Sequence, residues 1–100
     1  MNSNALEALR RASQLAFGQR YRLELMLKVL ESDDGLFTLT EMSKNLSITV
    51  SNLQGPIESL LALGQISRLP TSEELGVYYL RNEGAGWDWA SELSRNLDSK

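Results

Sequence analysis

Residues 38–66 read TLTEMSKNLSITVSNLQGPIESLLALGQI, and the spacing of their apolar, capping and stop residues decides the fold. Leu39, Met42 and Leu46 recur at three and four residues and share one face of a first helix. Thr38 with Glu41 three residues on forms a capping box that fixes where this helix starts. Ser47 and Ile48 break the period. Thr49 caps a second helix, on which Leu53, Ile57, Leu60 and Leu61 form the apolar stripe. Gly64 supplies a left-handed stop and Ile66 opens an extended run. A short helix, a tight turn and a longer helix make a helix-turn-helix over 38–66.

Pro56 leaves two readings of the second helix open. A helix from Val50 carries the proline inside it and loses one backbone hydrogen bond, at a cost of roughly 3 kcal/mol unless it bends. Gly55 is then the residue that best tolerates the position before the ring. A helix from Pro56 avoids that strain but shortens the exposed polar surface. The longer helix is preferred, because short helices are poorly supported.

On the N-terminal side, Asn4 with Glu7 repeats the capping logic. Ala5, Leu6, Ala8, Leu9, Ala12, Leu15 and Ala16 then make an Ala-rich amphipathic helix over 5–18, ending near Gly18. Arg20–Glu31 is so apolar that only Arg22, Glu24 and Lys28 are left for water, which makes it the most buried helix. Ser32-Asp33-Asp34-Gly35 is a turn, and Leu36-Phe37 a very short strand.

Beyond Gly64, Ile66–Leu69 and Val77–Arg81 have β character and are joined through Pro70–Gly76 as a hairpin over 66–81. Both its faces carry apolar groups, Ile66, Val77 and Tyr79 on one and Leu69, Tyr78 and Leu80 on the other. A cover for the second face is therefore expected. A last helix spans 87–97, with Trp89 or Ala90 aligned with Leu93 and Leu97.

One hundred residues make one domain with a single core. No apolar run approaches the ~20 residues of a membrane span and no signal-peptide pattern opens the chain, so no membrane partner and a cytoplasmic location are expected. The absence of Cys and His removes disulfides and the usual zinc ligands, and with them the commonest general base. No catalytic residues, metal or cofactor are expected, and the chain does not read as an enzyme.

The net charge of −3 is unevenly spread. Residues 1–35 carry five basic and five acidic groups, residues 36–70 two of each, and residues 71–100 three basic against six acidic. The helix-turn-helix itself is neutral. Arg10, Arg11, Arg20 and Arg22 form a second basic group whose spacing puts them on more than one face.

The order helix, helix, short strand, helix-turn-helix, hairpin, helix is that of a winged helix. The chain resembles the small bacterial winged helix-turn-helix regulators of the ArsR type. Arg22–Leu27 is similar to their RLxIL opening of the second helix, and Thr38–Met42 to their TVSEL start. Leu46–Ile66 matches, without a gap, their L-G-L-S-x-x-T-V-S-x-x-L-x-x-L-x-x-x-G-L-V pattern. The resemblance implies a mainly α fold with a β-hairpin wing, a second motif helix entering the major groove, and a homodimer made by terminal helices. Metal-sensing members use Cys, His and carboxylates, so metal sensing is not expected. Where the family often has basic residues or His in the recognition helix, this chain has Gln54, Gly55 and Pro56.

In that frame Asn52 and Gln54 are placed to read adenine and Thr49 or Ser51 to bond phosphate, with Gly55 beside them on the same polar face. Lys44, Arg68 and Arg81 are the cations flanking the motif. The same polar residues equally suit a solvated helix face. Glu58 is expected to point away or pair locally, and Glu73 and Glu74 at the wing tip argue against a minor-groove contact. Leu6, Leu9, Ala12, Trp87, Trp89 and Leu93 supply apolar surface beyond the need of one small core, and a homodimer seam is the simplest use for it. Two functions follow. One is a homodimeric regulator whose partner is double-stranded DNA; the other is a winged helix whose partner is another protein.

Overall fold

The computed structural model describes residues 3–70 and 76–98. The elements run α1 (Ser3–Phe17), α2 (Arg22–Leu30), β1 (Leu36–Phe37), α3 (Leu39–Leu46), α4 (Val50–Ala62), β2 (Ile66–Leu69), β3 (Tyr78–Arg81) and α5 (Ala85–Asp98), with a single 3-10 turn at Asp33–Gly35. This is the mainly α winged-helix order expected from the sequence, with boundaries shifted by a few residues at most. The wing-tip segment 71–75, with Glu73 and Glu74, lies outside the described residues.

α2 sits at the centre. Leu23, Leu25, Met26 and Val29 are fully buried and meet Met42 of α3, Leu53, Ile57 and Leu60 of α4, and Trp87 and Ala90 of α5 in one core. Leu27, Leu30 and Leu46 pack at its margin, half-buried. Arg22 and Glu24, expected to face water, are buried instead. Each has a partner that the local period could not reveal. The Glu24 carboxylate accepts from Arg10 of α1 at 2.6 Å, and the Arg22 guanidinium lies 4.6 Å from the Phe17 ring centre while donating to Gln65 at 3.2 Å. The Arg10–Glu24 hydrogen bond raises the pKa of Arg10, whereas burial lowers that of Arg22.

The start of α2 is capped from another helix. Tyr21, at the cap position, makes no side-chain cap bond. The fully buried Ser13 hydroxyl of α1 accepts from the Leu23 N–H at 2.9 Å and donates to the Gln19 carbonyl. One hydroxyl thus satisfies an orphan donor of α2 and pins the link between the two helices. α1 itself is already helical at Ser3, so Asn4 is not its cap, and Glu7 bonds Arg20 instead. Of the residues assigned to the apolar stripe, Leu15 is 76% exposed and Ala5 and Ala8 are exposed as well; Leu9 faces the core as expected, and Ser13 joins it.

Thr38 and Glu41 close the expected capping box at α3, with Glu41 N–H bonding the Thr38 hydroxyl at 3.1 Å. Ser47 turns the chain with a left-handed φ of 56°, and Ile48 seals the turn by burying its side chain. The Ser43 hydroxyl donates to the Ile48 carbonyl across this turn. Thr49 caps α4 by accepting from the Asn52 N–H at 3.3 Å. α4 is helical from Val50 through the buried Pro56 to Ala62, which excludes the alternative start at the proline.

The three strands form an antiparallel sheet in the order β1-β3-β2. Phe37 opposes Tyr79 with rings stacked 5.6 Å apart, and Ile66 joins them on the core face. On the other face Leu36 opposes Leu80 and Leu69 opposes Tyr78. A cover was expected there. Leu69, Tyr78 and Leu80 are instead half-buried, and Leu36 is 42% exposed. α5 begins two residues before its expected start and turns Trp87 and Ala90, not Trp89, to the core.

Leu53→Ala is expected to cost about 2–5 kcal/mol in urea unfolding, the range for truncating a fully buried leucine. Ser13→Ala, which strands one N–H and one carbonyl in the interior, should cost about 1–3 kcal/mol. A loss below ~0.5 kcal/mol at both positions would contradict this account of the core.

Candidate nucleic-acid interface

α4 divides into a buried stripe and a polar face. Leu53, Pro56, Ile57 and Leu60 are buried, while Val50, Ser51, Asn52, Gln54, Gly55 and Glu58 are exposed. Ser51 and Glu58, two turns apart, share the centre of the exposed face. Glu58 was expected to turn away or pair locally; it stands on the outward face instead. Val50 and Gln54, four residues apart, lie on the flank toward the wing. There Val50 lines an open depression with Thr38, Thr40, Gly76 and Val77. Asn52, Gly55 and Ser59 lie on the other flank, against the α1–α2 link. The Gln19 amide of that link donates to the Ser59 hydroxyl at 2.9 Å, and a side chain placed on Gly55 would meet it at 3.7 Å. Asn52 and Gln54 are therefore about 200° apart around the helix and face different walls of any groove that takes α4.

The Thr49 hydroxyl is committed as an acceptor to the Asn52 N–H and lies 3.3 Å from the Ser51 hydroxyl. Its own proton remains usable toward an anion. Lys44 in the last turn of α3 and Arg68 on β2 are exposed. Arg81 is not placed as expected. Its guanidinium donates to the Val29 carbonyl at 2.9 Å, near the end of α2, and its stem packs over Gly35, where an added Cβ would lie 3.0 Å from that of Arg81. A cation at a helix C-terminus is favourably placed against the macrodipole, so Arg81 holds the wing to α2 and is turned away from solvent phosphate.

Two residues of the expected dimer seam are taken up by the chain itself. Leu9 and Trp87 are 4% and 5% exposed within its core. Leu6, Ala12 and Leu93 are half-buried, and Trp89 is 43% exposed with its ring edge-on to Phe17 at 5.1 Å. Missing from the expected site was Gln19. It follows the Gly18 stop and carries no periodic signal, so only the packed structure brings it beside α4. Among the described residues no cluster of three potential metal ligands occurs, and no helix is long and apolar enough to cross a membrane.

The crystal structure of the reduced form of MarR from E. coli superposes on this chain with a TM-score of 0.68. The chain shares the winged-helix fold of MarR. The sequences are 20% identical, and the match covers 99% of this chain and 71% of that one. At that identity the likeness shows the winged-helix fold and leaves the ArsR subfamily unsupported. No protein-family model and no curated protein matches the chain.

Gly55 and Pro56 give this winged helix a test of its own. Alanine at residue 55 meets no tertiary obstacle, so any strain comes from the following ring crowding its Cβ. Gly55→Ala is expected to lower stability by about 1 kcal/mol. The same change in a Pro56→Ala background should raise it by about 0.5–1 kcal/mol. Additive effects in this double-mutant cycle, read by thermal or urea unfolding, would refute the coupling.

Proposed function

We propose that the chain is a DNA-binding winged-helix regulator that acts as a homodimer, with α4 as the helix that enters the major groove. The observation that carries this reading is the capped N-terminal half of α4. It presents Ser51, Asn52, Gln54 and Gly55 to solvent, flanked by the wing on one side and the α1–α2 link on the other. Gln54 on the wing flank is the principal base reader and Asn52 addresses the opposite wall, each suited to adenine. Ser51 and Thr49 bond phosphate, and Lys44 and Arg68 supply charge. A cytoplasmic location goes with this reading.

A second reading is favoured by one specific feature. Glu58 occupies the centre of the exposed face of a helix that holds no Lys or Arg, a pattern better suited to a protein surface than to a polyanion.

Selection from a random-sequence duplex pool at low salt separates the two. For a regulator, an enriched site emerges. Gln54→Ala then weakens that site by about 1–3 kcal/mol and leaves unselected duplex nearly unchanged, whereas Arg68→Ala weakens both alike. Absence of any enriched duplex would overturn the DNA reading in favour of a protein partner.

The dimer is supported by the apolar side chains left exposed near the α1–α5 junction, Leu15 at 76% and Trp89 at 43%. Light scattering should give twice the protomer mass at micromolar concentration, and Leu15→Glu with Trp89→Ala should give a folded monomer. A concentration-independent monomer for the unaltered chain would end the proposal.

A further inference from the structure

A duplex seated on α4 presents a phosphate backbone to each flank of the helix, because the major groove is only about 12 Å wide. The wing flank has Arg68. α4 itself holds no cation, Lys44 on α3 is the one cation of the helix-turn-helix, and Arg81 is spent on the end of α2. Further cations for the other flank have to come from elsewhere in the chain.

They are available on α1 and the link that follows it. Arg10, Arg11 and Arg20, whose spacing had placed them on different faces, line one open depression with Glu7 and Gln14. The Gly18 stop reverses the chain and brings Arg20 back along α1, which residue spacing within a helix cannot anticipate. Arg10 is neutralised by the buried Glu24, and Arg22 is drawn into the core. Arg11 and Arg20 remain exposed, against one carboxylate, Glu7. The neighbour of Arg20 in the chain, Gln19, is the residue hydrogen-bonded to Ser59 beside Gly55.

We propose that Arg11 and Arg20 form a second phosphate-binding surface, which grips the duplex backbone on the flank of α4 away from the wing. The inference rests on the reading of α4 as the groove-facing helix. Arg20 meets Glu7 through Nη2 alone, at 2.9 and 3.2 Å, in a pair exposed on both sides. Such a pair is held weakly in water. Its guanidinium carries further N–H donors in a planar fork that matches a phosphate. Arg20 also lies 5.9 Å from the Tyr21 ring centre, with Arg10 at 5.0 Å from the same ring, which limits its sweep. Glu7 thus parks Arg20 in the free protein and competes with phosphate for it.

The full-length chain is titrated with a 24-base-pair duplex of unselected sequence, by fluorescence anisotropy across a salt series and by amide chemical-shift mapping. Arg11→Gln with Arg20→Gln should weaken binding roughly 10- to 50-fold at low salt. It should also flatten the logarithmic salt slope by about 2 for each bound protomer. Glu7→Gln should tighten binding, and Arg20→Lys should retain most of it. Circular dichroism of each variant checks the fold, which these exposed side chains do not hold together.

Shifts in both α4 and residues 18–21, with the loss in the double variant, support the proposal. Shifts in α4 with an unaltered double variant overturn it and leave α4 as the groove helix. Shifts confined to residues 11–21, lost in the double variant, keep the phosphate surface and remove α4 from the groove. No shifts at millimolar duplex overturn both.

Discussion

The fold turns on one buried hydroxyl. Ser13 accepts from the first turn of α2 and donates to the carbonyl of Gln19, so it caps a helix that lacks its own cap and fixes the link leading into it. α2 is the element against which α1, α3, α4 and α5 all pack, and its orientation is set at that end. A hydroxyl with a donor and an acceptor partner in the interior is well satisfied; either partner left alone there would be costly. The same bond carries a positional consequence. Gln19, held by its carbonyl, extends its amide to Ser59 and so brings the link against the side of α4.

The rest of the α2 surface follows a similar rule. Polar groups that the helical period assigns to water are recruited by other elements: Glu24 by Arg10, Arg22 by Phe17 and Gln65, and the Val29 carbonyl by Arg81. These contacts tie α1, β2 and β3 to the central helix. They also redistribute charge, since three arginines stop being surface cations. Among the described residues, the exposed cations are Lys44, Arg68, Arg11 and Arg20, with Arg95 on α5, and none lies on α4 itself. A recognition surface of this kind separates sequence reading, by neutral side chains, from backbone attachment, by distant cations.

Much of the architecture was legible in the chain. The Thr38–Glu41 capping box, the Thr49 cap, the turn at Ser47-Ile48, the two wing strands and the apolar stripes of α2 and α4 all lie where short-range spacing puts them. Capping, turn and period signals are local, and each involves residues within four or five positions of one another. The candidate site was half legible. Exposure of Ser51, Asn52, Gln54 and Gly55 follows from the period of α4, and so does the 200° separation of Asn52 and Gln54. The fate of Arg81 and the grouping of Arg10, Arg11 and Arg20 do not follow, because each depends on an element far away in sequence.

By itself, then, the sequence determined the order and type of the elements and the faces that α3 and α4 bury, because those depend on backbone periodicity and on caps made within one turn. Only the tertiary structure decided which charges are free. Arg81 and Val29 are 52 positions apart, Arg22 and Gln65 are 43, and Gln19 and Ser59 are 40. Long flexible side chains take whatever partner the packed backbone brings within reach, and a buried carbonyl or carboxylate outcompetes water for a guanidinium. No spacing rule spans such distances. The cations available to a partner are those that remained exposed once the interior was satisfied.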